Sequence, residues 1–143
     1  MIPFTEQYLV RKFDLSQDTA AVTYFQENFP GALRLGFELA EKFDSEDAAL
    51  NTVIQVNSND ARQHKVDIEI RFLCAFRTNH IRPSLEDVFY LARYSLSRIH
   101  EIFIAELEAR KLPVSINGFA FKDELIRSDL VKELNRAYPL RRK

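Results

Sequence analysis

An α+β domain, built from a four-stranded antiparallel sheet with a long helix and a shorter C-terminal helix, is the fold this chain predicts. Three observations carry that expectation. Between Val66 and Phe76 every even position is apolar (Val66, Ile68, Ile70, Phe72, Cys74, Phe76), while Lys65, Asp67, Glu69, Arg71 and Arg77 are charged. That two-residue period is the mark of a half-buried strand. From Ser84 the period changes to three and four residues and holds for roughly seven turns, as a helix with one buried stripe requires. The other strand-like segments are joined by short polar connections, which antiparallel pairing allows and parallel pairing does not.

Taken in order, Glu6 to Leu15 forms a first strand, with Tyr8, Val10 and Lys12 alternating against Leu9, Arg11 and Phe13. Ser16 to Gly31 has no sustained period and ends on Pro30-Gly31, so it reads as a crossover loop, unusual in carrying Val22, Tyr24, Phe25 and Phe29. Leu33, Leu35, Phe37 and Leu39 alternate with Arg34, Gly36 and Glu38 as a second strand. Asp44 to Asp47 reads as a polar turn, Leu50 to Asn57 as a third strand with Leu50, Thr52, Ile54 and Val56 on one side, and Asn57 to His64 as the return. In the fourth strand Leu73 and Ala75 make the second face apolar as well, so something is expected to pack there.

A turn at Asn79-His80 leads to Pro83-Ser84 with Asp87 three residues on, close to a capping box. The long helix runs to about Lys111, its stripe made by Leu85, Val88, Phe89, Ala92, Leu96, Ile99, Phe103 and Leu107. Ile102 and Ile104 widen the stripe beyond what one sheet covers, which points to a second surface and makes Leu96, Ile99, Ile102 and Ile104 the candidate oligomer interface. Arg110, Lys111 and Pro113 stop the helix, with cations against its negative end. Val114 to Phe121 is a connector, and Asp123 to Tyr138 a second helix with Leu125, Ile126, Leu130 and Leu134 on one face.

Length and composition narrow the function classes. With 143 residues, no repeat and no linker, residues 1–143 make one domain that can bury a core without disulfides. A net charge of −1 gives no global pull toward nucleic acid or an anionic membrane. No apolar run approaches the roughly 20 residues of a membrane span. Met1 to Tyr8 lack the basic and apolar regions of a signal peptide, so a cytoplasmic protein is expected.

The search for chemistry is mostly negative. The single cysteine, Cys74, lies on the apolar strand face and reads as a buried hydrophobe. His64, His80 and His100 lack the pairing of a metal site, and Ile104 stands where a zinc-protease helix would need a second histidine. Gly31, Gly36 and Gly118 belong to no phosphate loop. No enzyme, cofactor or metal is expected. Arg71, Arg77, Arg82, Arg93 and Arg98 are matched by Asp67, Glu69, Glu86, Asp87 and Glu101, as on a solvated face. The aromatic crossover leaves two readings open: Tyr24, Phe25 and Phe29 cover the sheet, or with Phe103 they line a groove for apolar chain segments.

With four antiparallel strands, an aromatic crossover, a long helix and a proline-containing return to a shorter helix, the chain resembles the SecB export-chaperone family. Arg71-Phe72-Leu73-Cys74-Ala75-Phe76 is similar to that family's A-F-L-C-E-V strand ending. Ala109 to Asp123 is similar to its S-R-G-T-F-P-Q-L-N-L-A-P-V-N-F-D segment, with Pro113 on the proline and Phe121 on the phenylalanine. The resemblance implies a cytoplasmic tetramer, a dimer of dimers built through sheet edges and long helices, that holds unfolded polypeptide in surface grooves without cofactor or turnover. It departs from the family in three places. Tyr94-Ser95-Leu96-Ser97 replaces the Y-C-P element, Asn79-His80-Ile81-Arg82 a glycine pair, and Arg141-Arg142-Lys143 the long extension that engages the SecA motor. Motor docking is therefore not expected, and a specialised client, such as the antitoxin of a toxin–antitoxin pair, stands beside export. The competing class is an oligomeric adaptor or structural protein whose helix face is used up by assembly.

Overall fold

The computed structural model describes residues 2–43, 45–58, 65–114, 116 and 118–139, leaving out the side chains of 28, 30–32 and 58. Seven elements follow one another: β1 (Phe4–Asp14), α1 (Thr19–Ala32), β2 (Leu33–Phe43), β3 (Glu46–Ser58), β4 (Val66–Phe76), α2 (Leu85–Ala109) and α3 (Asp123–Ala137). All four strands pair antiparallel in the order β1-β4-β3-β2. Three successive strands plus a first strand returned beside the last make a Greek key, with α1 as the long connection.

The helices pack on one face of the sheet, and one core cluster joins them to the even positions of β3 and β4. Leu50, Thr52, Ile54 and Val56 lie inward as their alternation predicts, as does the whole even row from Val66 to Phe76. The Thr52 hydroxyl, fully buried here, has no hydrogen-bond partner among the described residues. Because a buried unpaired hydroxyl costs about 1–3 kcal/mol, Thr52→Val is expected to stabilise the fold by about 1 kcal/mol, read from the urea midpoint.

Two features break the simple alternation. The register of β1 against β4 shifts between Val10 and Lys12, so Val10 faces Ile70 and Phe13 faces Ile68. This bulge at Arg11 carries Phe13 to the same side as Val10, where Phe13 joins the core. β3 begins at Glu46 rather than Leu50, which shortens the polar turn; Asp44 and most of the expected return after Asn57 (residues 59–64) lie outside the described residues.

The crossover is a helix, not a loop. Asp18 caps it, its Oδ1 accepting from the Ala21 amide at 2.8 Å. Ala21, Val22, Phe25 and Phe29 lie on the face turned to the core, a stripe of only two turns beside which Tyr24 packs at the margin.

Ser84 caps α2 by accepting from the Asp87 amide at 3.1 Å, as the sequence predicts. At its other end the Leu112 amide bonds the Leu107 carbonyl at 3.0 Å and the Lys111 amide bonds Glu108 at 3.0 Å. These are the two bonds of a Schellman closure, with Lys111 in the left-handed position at φ 55°. A side chain in that conformation costs about 1–2 kcal/mol, so Lys111→Gly is expected to raise stability by up to about 1 kcal/mol with an unchanged denaturant slope. In α3, Ile126, Leu130 and Leu134 are buried, but Leu125 is 61% exposed and does not share their face.

Candidate functional site

Three surfaces are candidates: an aromatic cluster at the helix layer, the open face of the sheet, and the strand edges.

The aromatic cluster gathers α1, α2, β1 and the connector. Phe103 is its hub, with ring centroids 5.4 Å from Phe13, 6.2 Å from Phe25, 5.8 Å from Phe29 and 6.3 Å from Phe119. Phe29 also lies 5.4 Å from Phe25 and 6.4 Å from Phe119, and Phe119 in turn 6.3 Å from Phe121. All fall within the range at which aromatic pairs attract one another. The structure divides the expected groove residues in two. Phe25 (1% exposed) and Phe103 (fully buried) are core, which corrects the expectation that they line an open groove. Phe29, with Phe119, Phe121, Ile104 and Ile116, is only half-buried and forms a rim beside them, while Tyr24 is half-buried against the same core. Sequence reasoning passed over Phe119 and His100 here. His100 stands edge-on to Phe119 at 5.8 Å, with Nε2 3.5 Å from the Ile116 carbonyl.

The candidate interface residues fare differently. Leu96, Ile99 and Ile102 are buried within one subunit and Ile104 packs at the margin of the same core, so the apolar surplus of α2 is largely absorbed internally. The opposite side of α2 carries Glu86, Arg93, Ser97 and Glu101.

On the open face of the sheet, cross-strand neighbours form rows: Leu9, Arg71, Val53 and Gly36, then Gln7, Leu73, Asn51 and Glu38, then Thr5, Ala75, Ala49 and Ala40. Leu9, Leu73, Phe43 and Asn51 surround a shallow cleft of about 250 Å³, so the second apolar face of β4 meets Phe43 and Leu9 rather than another layer. Beside it lies Glu69, expected to be solvated but only 5% exposed. Its carboxylate accepts from Gln55 Nε2 at 2.6 Å, Arg71 Nε at 2.9 Å and Arg11 Nη1 at 3.2 Å. The Gln55 bond first, then the two guanidinium groups, outweigh desolvation and lower its pKa from an ordinary 4.5 to about 2.

Other titrating side chains are structural. Cys74 is buried, its Sγ 3.4 Å from Ser95 Oγ, and desolvation pushes the thiol up to about 11, which keeps it protonated at neutral pH. Arg77 bonds the Ser45 carbonyl, Arg82 the Tyr138 carbonyl, Arg93 pairs with Asp123, and Arg98 with Glu101 and Glu6. His80 is exposed in its turn, and His64 lies outside the described residues. Among the described residues no group of three or more His, Cys, Asp or Glu could hold a metal ion, and no helix is long and apolar enough to cross a membrane. Compared with models of known families, with curated proteins and with solved structures, the chain finds no match.

Proposed function

We propose that the protein is a non-enzymatic, SecB-like holdase that binds extended apolar polypeptide. The observation that carries this reading is the half-buried aromatic rim of Phe29, Phe119 and Phe121 beside a fixed floor of Phe25 and Phe103. Rings packed on one side and open on the other offer apolar area and edge-to-face contacts with little selectivity for sequence, which suits a binder of unfolded chains. Each contact contributes about 25 cal/mol per Å² of client surface covered, so a long client engaging several subunits gains through effective concentration. The element order, with a crossover between the first two strands and a proline-containing return to a short C-terminal helix, supports the family reading.

Assembly in this proposal runs through the free edge of β1 rather than the apolar stripe of α2. Among the described residues, the eleven from Phe4 to Asp14 pair on one side only, with β4. A client in export or an antitoxin would fit the same rim. One assay separates this reading from that of an oligomeric adaptor. Added at near-stoichiometric amounts while an unrelated denatured protein is diluted into buffer, the chain is expected to suppress light scattering, because it binds the unfolded state and not the native one. No suppression gives the adaptor reading first place.

A further inference from the structure

The two edges of the sheet are treated differently by the rest of the chain. Residues of an antiparallel strand turn both backbone polar groups to the same side, alternating along the strand. At Leu39, in the edge strand β2, those groups face away from the sheet and are already bonded. Glu133 Oε1 accepts from the Leu39 amide at 2.9 Å, and Arg136 Nη2 donates to the Leu39 carbonyl at 2.6 Å. The two side chains are joined by further bonds of 2.8 and 3.1 Å. One acceptor and one donor, held together at a single residue of an edge, are what a neighbouring strand would present there. The carboxyl of Glu133 is lowered by its bond from Arg136 and by the Leu39 amide, against desolvation, which keeps the acceptor ionised.

α3 is fastened over β2 by contacts at both ends. Arg82 donates to the Tyr138 carbonyl and to Asn135 Oδ1, each at 2.9 Å, which neutralises the negative end of the helix. Near its start Arg127 pairs with Glu86 and lies 3.9 Å over the Phe89 ring.

Uncovered, β2 would be complementary to itself. A two-fold pairing centred on Gly36 sets Leu35 against Phe37 and Leu33 against Leu39 on the apolar side, and Arg34 against Glu38 of a second copy on the polar side. We propose that the β2 edge is a strand-docking surface for the β2 of a second copy, held closed by the Glu133–Arg136 pair of α3. With β2 closed and β1 open, pairing through β1 ends at two copies; with both open, it has no end. The inference does not depend on what the aromatic rim binds.

The test is the molar mass of Glu133→Ala/Arg136→Ala by light scattering across a hundredfold range of concentration, at physiological salt. The wild type is expected to hold one mass, whereas the double variant rises at least twofold above it. Adding Glu38→Arg, which sets a second cation against Arg34 of the other copy in the two-fold pairing, is expected to abolish the rise, since like charges directly opposite one another on paired strands repel. An unchanged mass, or a rise that Glu38→Arg leaves intact, overturns the proposal. If circular dichroism shows the double variant unfolded, amide exchange of the wild type decides. The Leu39 amide is expected to exchange at least about tenfold more slowly than that of Glu41, and equal rates overturn the proposal.

Discussion

Phe103→Ala is expected to cost about 3–5 kcal/mol, the loss typical of an aromatic ring removed from a core that cannot collapse around the gap. The ring touches β1, α1 and the connector at once through Phe13, Phe25, Phe29 and Phe119, so no single element can move to fill the space. For a chain of this length, the melting temperature should fall by roughly 10–20 °C. Phe29→Ser, at the half-buried rim, should cost much less. Equal losses at the two positions would mean that floor and rim are one continuous core, leaving no surface for a client.

Acid is expected to weaken the fold through Glu69. Its folded pKa is depressed, from 4.5 to about 2, so its contribution is complete above pH 4.5 and is lost as the pH falls toward 2. A shift of that size is worth about 3 kcal/mol for a carboxylate buried this deeply. Glu69→Gln, which keeps the side chain's shape but not its charge, should be less stable than wild type at pH 7. The difference should close as both proteins approach pH 2. A gap independent of pH would show that the side chain matters through packing rather than through its bonds to Gln55, Arg71 and Arg11.

Where one period governed a segment, the sequence was enough. The even row from Val66 to Phe76 and, Phe89 at its margin excepted, the stripe from Val88 to Leu107 are buried as their spacing requires, because in each case one face meets one layer. The crossover failed that test. Asp18 followed by Ala20 and Ala21 was a usable start signal and Val22, Phe25 and Phe29 fall at helical steps, but the stripe is only two turns long, and Pro30-Gly31, which reads as a turn, lies inside the helix. At Arg11 a bulge changed which residues of β1 share a face, and nothing in the local pattern announces a bulge.

The candidate site was legible by residue type but not by depth. Phe25, Phe29 and Phe103 do meet around one cluster, yet which of them is floor and which is rim depends on Phe13 and Phe119, from distant segments. The surplus at Ile102 pointed outward only because the cover supplied inside the subunit could not be seen. Long-range polar contacts were the least visible. Glu133 and Arg136 lie 94 and 97 residues from Leu39, and in sequence they are an ordinary ion pair on a helix.

In the proposed holdase the half-buried rings form a binding surface for extended apolar chain. That role is tested most directly by titrating a fluorescently labelled, permanently unfolded apolar polypeptide with the wild type and with Phe29→Ser/Phe119→Ser, following anisotropy at low and high salt. Saturable binding by the wild type that salt leaves almost unchanged is expected, since apolar contacts are not screened. Binding by the variant is expected to be at least about tenfold weaker, a loss of about 1.4 kcal/mol or more. Equal affinity of the two proteins, or no saturable binding by the wild type, would contradict that role.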